Sequence, residues 1–103
     1  MKQIIDGKTY NTDTAEIVCI TSNSLRPSDY GHENSALYVT KKGAFFIAGY
    51  GGPLTRFKRD TGNGWSDGEG IIPLSRQEAL TVAEEHASSD TIEEFFSDML
   101  EEA

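Results

Sequence analysis

The chain has 103 residues, which fits a single domain and excludes a two-domain enzyme with separate cofactor and substrate modules. Hydrophobic residues make up 37% of it and ten further residues are glycine, an ordinary composition for a globular domain. Nine basic and 17 acidic side chains give a net charge of −8, so we expect a basic protein surface as partner, without direct binding to nucleic acid or membrane. The single cysteine excludes an internal disulfide, and the start of the chain lacks a signal-peptide pattern, so we expect a cytoplasmic protein.

The charge is divided unevenly along the chain. Residues 1–59 carry eight basic and five acidic side chains, whereas residues 60–103 carry one basic and twelve acidic side chains. The first part is therefore +3 and the second part −11. We expect the acidic residues to belong to one structural layer, and residues 73–103 predict an acidic pair of helices.

Residues 1–72 predict mainly β-structure. Asp6-Gly7 lies between strand-forming residues and predicts a small hairpin over residues 3–11. The β-branched residues at 16–21 predict a strand. Residues 22–34 are polar and include a proline and a glycine, which predicts a long mobile loop.

The middle of the chain contains the clearest hairpin pattern. Two apolar runs, 36–40 and 44–48, are joined by a short turn that contains glycine. The glycines and the proline of residues 49–53 predict the end of this hairpin. Residues 60–70 hold four glycines and predict a loop, which is followed by a last short strand at 71–72.

Two helices are predicted after the strands. Ser75 as N-cap and Glu78 three residues later form a capping-box pattern, so a helix is expected from there to residue 86 or 87. Ser89 or Asp90 is expected to cap a second helix. Its apolar side has amphipathic spacing and consists of Ile92, Phe95, Phe96, Met99 and Leu100. The predicted fold is α+β, an antiparallel sheet of four or five strands with two C-terminal helices packed on one face.

The acidic helices are the first candidate site. Nine carboxylates follow Arg76, and 25 residues of straight helix would span about 37 Å. The charge spacing would then approach that of the phosphates along one DNA strand, about 3.4 Å. A surface of this kind could occupy a basic nucleic-acid-binding channel, although acidic solvated faces are common. The candidate partner-binding residues are Glu84, Glu85, Glu93, Glu94, Asp98, Glu101 and Glu102.

The glycine-rich and basic segment is the alternative site. Closely spaced glycines let backbone amides approach an anion, and three basic residues follow them. This favours a small-molecule or nucleotide-binding regulatory module that uses Gly51, Gly52, Arg56, Lys58 and Arg59. The competing interpretation is a turn at the end of a sheet, beside basic side chains that pair with the protein's own acidic helices. Lys41 and Lys42 could lie near this segment in the same sheet.

A catalytic site is not expected. Residues 64–68 match the nucleophile-elbow pattern around Ser66, but no strand leads into them and no helix follows. His32 lies in a polar loop and His86 lies at a helix end, where structural roles are expected. We therefore expect a protein without enzymatic activity, cofactor or metal.

Four segments together resemble a set of small proteins of phages and mobile elements. They are residues 5–15 (IDGKTYNTDTA), 37–46 (LYVTKKGAFF), 49–52 (GYGG) and 71–75 (IIPLS). Some anti-CRISPR proteins belong to this set. The resemblance implies a small inhibitor that binds a host defence complex, with a CRISPR effector complex as partner, and it assigns no binding residue.

Overall fold

The computed structural model describes all 103 residues and shows an α+β fold, as predicted. The strands are β1 (Lys2–Ile5), β2 (Lys8–Asn11), β3 (Glu16–Ile20), β4 (Glu33–Val39), β5 (Phe45–Gly51), β6 (Arg59–Asp60), β7 (Trp65–Ser66) and β8 (Gly68–Leu74). The helices are α1 (Arg76–His86) and α2 (Ser89–Phe96), and a 3₁₀ turn follows at Ser97–Met99. The predicted position of both helices at the C-terminus is confirmed.

A four-stranded antiparallel sheet forms the centre of the fold, in the order β3-β4-β5-β8. The predicted hairpin is β4-β5, and its turn contains Gly43 with a φ of 88°, a conformation that favours glycine. The strands β1 and β2 form the predicted N-terminal hairpin, and β6 and β7 form a second two-stranded ribbon.

The two helices cover one face of the sheet. Side chains from β3, β4 and β5 alternate toward this face, as a period of two residues requires. Leu37 and Ile47 from the strands pack here with Ala79 and Ala83 from α1 and Phe96 from α2, and each of the five is fully buried. This cluster is the larger of the two hydrophobic cores.

The N-terminal hairpin covers part of the other face. Tyr10 packs edge-on against Phe46 with ring centroids 5.4 Å apart, and Tyr38 stacks on Phe46 at 5.3 Å. Ala48 and Ile71 complete this smaller core. Because β5 is covered on both faces, the run Phe45–Ala48 is buried throughout, which explains its continuous apolar sequence.

Glycine-containing strands extend further than the sequence predicts. β5 continues through Gly51 and β8 begins at Gly68, while β6 and β7 occupy part of the predicted 60–70 loop. A Cβ at Gly49 would collide with the backbone of Asn34, and a Cβ at Gly68 would collide with the carbonyl of Phe57. Glycine therefore lets neighbouring segments pack closely against the sheet instead of ending it.

The helix starts agree with the capping pattern, with small differences. The second helix ends earlier than predicted, at Phe96, so Met99 and Leu100 of its predicted apolar side lie beyond it. Ser75 and Glu78 form the predicted capping box, and α1 ends at His86. Ser88 caps α2, one residue before the predicted positions, because its hydroxyl accepts a hydrogen bond from the Thr91 amide at 3.3 Å. The buried side of α1 consists of Ala79, Leu80 and Ala83.

The polar loop before β4 is held by hydrogen bonds. It ends two residues earlier than predicted, since Glu33 already belongs to β4. The side chain of Asn23 donates to the Gly31 carbonyl at 2.8 Å and accepts from the Glu33 amide at 3.1 Å. These bonds join the two ends of the loop, and its mobility stays a prediction.

Cys19 lies at the margin of the larger core. It is half-buried and packs against that cluster from β3. Burial raises the pKa of its thiol, which disfavours the reactive thiolate.

Candidate functional site

The predicted acidic residues lie exposed on the helical side of the molecule. We call this set the acidic layer: Glu84, Glu85, Glu93, Glu94, Asp98, Glu101 and Glu102. They come from α1, from α2 and from the segment that follows α2. The buried faces of both helices point toward the sheet, so the carboxylates remain in solvent.

Only part of the acidic layer is neutralised within the chain. Asp98 accepts two hydrogen bonds from Arg76 Nη2, at 2.7 and 2.8 Å. Glu85 lies 3.8 Å from the ring of His86. The remaining five carboxylates have no cationic side chain within 4.0 Å. No lysine or arginine follows Arg76 in the chain, and most of the negative charge of the layer is unpaired.

The acidic layer is a patch and not a line. The helical conformation is interrupted at Ala87 between the two helices, where this C-cap residue of α1 adopts an extended conformation. α1 has 11 residues and α2 has eight, so their lengths are about 16 and 12 Å, and they contact each other. The expected straight span of about 37 Å is therefore wrong, and the match to phosphate spacing along one strand is lost.

The glycines of the predicted anion site make contacts within the protein instead of presenting free amides. The Gly52 amide donates to the His32 carbonyl at 2.8 Å, so it is not free to bind an anion. A Cβ on Gly52 would collide with the Tyr30 carbonyl, and one on Gly51 would collide with the Thr55 hydroxyl. Both glycines are buried and serve close packing between β5 and its neighbouring loops.

The basic side chains near these glycines pair locally. Arg56 forms a two-pronged ion pair with Glu33, with N···O distances of 2.7 and 3.2 Å. Lys58 lies over the ring of Trp65, 4.2 Å from its centroid. None of Arg56, Lys58 and Arg59 forms an ion pair with a carboxylate of α1 or α2, so the expected pairing of these basic residues with the acidic helices is wrong.

Lys41 and Lys42 are far from this segment. They lie in the β4-β5 turn, whereas Arg56 contacts Glu33 at the opposite end of β4. β4 has seven residues, which places the two ends about 20 Å apart. The two groups of basic residues therefore do not form one surface.

An open groove lies beside the β6-β7 ribbon, with a volume of about 580 Å³. Its walls include Tyr30, Leu54 and Trp65, which are 68%, 75% and 53% exposed. Arg59 and Asp67 add one charge of each sign. We call this the aromatic groove. Tyr30, Leu54 and Trp65 are absent from the predicted sites, although aromatic residues among glycines and cations are typical of binding surfaces.

Ser66 lies in β7 and not in a loop, contrary to the expectation that no strand leads into the motif. Its hydroxyl accepts from Arg59 Nε at 3.3 Å and donates to the Asp67 carbonyl at 3.2 Å, and neither group is a general base. His32 lies beside Tyr50, with ring centroids 6.0 Å apart. No group of three or more potential metal ligands is present.

Comparison with known proteins finds no relative. A scan against protein-family models, a search of curated proteins and a search of solved structures each find no match. Neither helix has the length and apolar character that a membrane crossing requires.

Proposed function

We propose that this is a non-enzymatic binding protein whose acidic layer binds a basic surface on another protein. The proposal is carried by the five carboxylates of the layer that have no cation within 4.0 Å. Charge that the chain does not neutralise is available to a partner, where it accelerates association and selects against acidic surfaces. Glu84, Glu93 and Glu94 are exposed on two helices that contact each other, which supports a preformed contact surface, and Glu101 and Glu102 follow in the C-terminal segment.

The partner surface in this proposal is one that otherwise binds nucleic acid. Such surfaces carry clustered lysine and arginine for phosphate contacts, and carboxylates compete for the same side chains. The resemblance to small phage proteins supports a more specific form, an anti-CRISPR-like inhibitor that blocks a CRISPR effector complex. That resemblance rests on turn and cap segments, whereas the charge distribution supports a basic partner independently.

Charge reversal at Glu93 and Glu94 tests the proposal. Both side chains are exposed on α2, and their reversal leaves the ion pair between Arg76 and Asp98 in place. The matched control reverses Asp13 and Glu69, which are also exposed but lie outside the helices. Each pair of lysine substitutions changes the net charge from −8 to −4, so the variants differ only in the position of the change.

The partner is first captured from a nuclease-treated host lysate and purified. The measured quantity is then the affinity of each variant for this purified protein. The wild type and the Asp13→Lys, Glu69→Lys variant should bind this partner, and added duplex DNA should release both. The Glu93→Lys, Glu94→Lys variant should bind at least tenfold more weakly. Equal weakening in both variants would show a general effect of net charge and would contradict the proposal.

The aromatic groove supports a second candidate function, the binding of a nucleotide or another aromatic anion. Trp65 is 53% exposed and Lys58 Nζ lies over one face of its ring, which leaves the other face for stacking. Arg59 lines the same groove, so Lys58 and Arg59 are the candidate phosphate contacts. Arg56 is occupied by Glu33, so it contributes less than the sequence predicts. Gly51 and Gly52 do not line this groove; Gly52 packs against the backbone of Tyr30, which does.

Fluorescence distinguishes the two candidates because Trp65 is the only tryptophan. Titration with ATP should quench its emission in the wild type and raise the melting temperature. The response should be lost in Lys58→Ala or Arg59→Ala and kept in Arg56→Ala. Unchanged fluorescence up to millimolar ATP would exclude an ATP-binding role for this groove.

A further inference from the structure

The two edges of the central sheet differ in their free backbone groups. At the β8 edge, the Ile71 amide donates to the side chain of Gln3 at 3.2 Å, so it points away from β5 and is already bound. Residues two apart in a strand direct their amides to the same edge, and the next such residue, Pro73, has no N–H. The β8 edge is therefore closed to a further strand.

The β3 edge has neither of these two protections, although the strand is short and contains a bulge. No backbone hydrogen bond outside the sheet ladders involves residues Glu16–Ile20, so the outward-facing groups of β3 have no backbone partner. The strand contains no proline, and its single charged side chain is Glu16. A strand with these properties is open to pairing with another strand.

Exposed apolar side chains lie next to this open edge. The register of β3 shifts between Ile17 and Cys19, and this bulge brings Ile17 and Ile20 to the same face of the sheet. They are 48% and 59% exposed and line a shallow groove with Ala36, Ala48 and Tyr50. The N-terminal hairpin leaves this part of the face uncovered.

We propose that β3 is a dimerisation edge and that its occupant is the β3 strand of a second copy of this chain. Antiparallel pairing about a two-fold axis would join two four-stranded sheets into one of eight strands. The same operation would bring the Ile17 and Ile20 side chains of both copies side by side on one face. The same arrangement would therefore form both the backbone hydrogen bonds between the two β3 strands and the apolar contact between their side chains.

The distribution of charge favours a second copy over a charged partner. Between residues 14 and 25 the chain has only one charged side chain, although the whole chain carries −8. Pairing centred near Val18 would separate the two copies of Glu16 by about 13 Å along the strands, beyond the screening length of about 8 Å. The edge itself is therefore self-complementary in charge. α1 and α2 both contact β3, so the acidic helices of the two copies would lie on the same face near the two-fold axis, and their repulsion would weaken the dimer.

The expected dimer is weak. One five-residue strand and its neighbouring side chains form a smaller contact than the roughly 800 Å² per partner of a standard interface. We therefore expect a monomer at low concentration and a dimer at high concentration. This inference does not depend on the function of the acidic layer.

Sedimentation velocity between about 10 μM and 1 mM tests it, a range chosen for micromolar affinities. The wild type should shift from monomer to dimer. The Ile17→Lys, Ile20→Lys variant should require at least tenfold higher concentration for the same shift. Ile4→Lys is the matched control, because Ile4 is 70% exposed on the N-terminal hairpin, and it should behave as the wild type.

Amide hydrogen exchange on the wild type keeps the test independent of variant folding. Exchange within residues 16–20 should slow as the protein concentration rises, while exchange in α2 should not change. A monomer at every concentration would overturn the proposal. So would a dimer in which concentration-dependent protection appears outside β3, or one that the paired lysines do not weaken.

Discussion

Phe45 of β5 and Phe96 of α2 stack with ring centroids 4.9 Å apart and an angle of 15° between the rings. Phe96 is fully buried and Phe45 nearly so. This contact joins the last turn of α2 to the most buried strand of the sheet. It therefore fixes the helix that carries Glu93 and Glu94 relative to the rest of the molecule.

Truncation of Phe96 should be among the most damaging single changes. We expect Phe96→Ala to reduce the free energy of unfolding by about 3–5 kcal/mol, because the ring leaves a cavity between helix and sheet. Phe95→Ala is the control, since Phe95 is only half-buried, and it should cost less. Chemical denaturation of both variants measures the difference, and equal losses would contradict this packing.

Loss of the N-cap of α1 should have a smaller effect. The Ser75 hydroxyl accepts a hydrogen bond from the Glu78 amide at 3.1 Å. Ser75→Ala should cost about 1 kcal/mol in denaturant unfolding, with the fold unchanged. Ser89→Ala is a suitable control because Ser88, not Ser89, caps α2. An unchanged stability for Ser75→Ala would contradict the cap of α1, and a comparable loss for Ser89→Ala would show that the cap of α2 is misassigned.

The same capping box predicts an acid dependence of stability. The hydrogen bond from the Ser75 backbone amide, with a second from its hydroxyl, holds the pKa of Glu78 below its ordinary value. A carboxyl with a lowered folded pKa contributes stability above the unfolded pKa of about 4.3, and this is lost as pH falls through the folded pKa.

Glu78→Gln isolates this contribution, since glutamine can make the same hydrogen bond without titrating. The stability of the wild type should fall relative to that of Glu78→Gln as pH drops below about 4.3. Urea unfolding of both proteins across acidic pH measures the change. If the difference in free energy of unfolding between the two proteins does not depend on pH, the lowered pKa of Glu78 is contradicted.

Glycine positions in β8 should respond very differently to a methyl group. A Cβ at Gly68 would meet the Phe57 carbonyl, whereas a Cβ at Gly70 would meet no atom within 4 Å. Gly68→Ala should lower the free energy of unfolding by about 1–3 kcal/mol through overpacking. Gly70→Ala should be neutral or slightly stabilising. Similar melting temperatures for the two variants would show that Phe57 does not pack closely on β8.

Much of the fold follows from local sequence rules. The Asp6-Gly7 turn, the β4-β5 hairpin and the capping box of α1 each depend on a few neighbouring residues, so their patterns predict them correctly. The strand portions at Gly49 and Gly68 do not follow such rules. They depend on close contact with segments distant in sequence, which no local pattern records.

The candidate site, like the fold, can be predicted in part from local sequence patterns and in part depends on contacts between residues distant in sequence. Exposure of the acidic layer follows from the apolar spacing of α2, which places Phe96 inside and Glu93 and Glu94 outside. The partner of Arg56 could not be predicted, because Glu33 is 23 residues away in sequence. The aromatic groove likewise depends on the approach of Tyr30, from the loop before β4, to Trp65 of β7, which is 35 residues away in sequence.

The salt dependence of partner affinity tests the central claim about the acidic layer most directly. For the purified partner, the affinity of the wild type should fall steeply as the Debye length shrinks from about 10 Å toward 3 Å. The Asp13→Lys, Glu69→Lys control should keep nearly the same slope, and Glu93→Lys, Glu94→Lys should have a clearly shallower one. Equal slopes for the wild type and the Glu93→Lys, Glu94→Lys variant would contradict binding through the acidic layer.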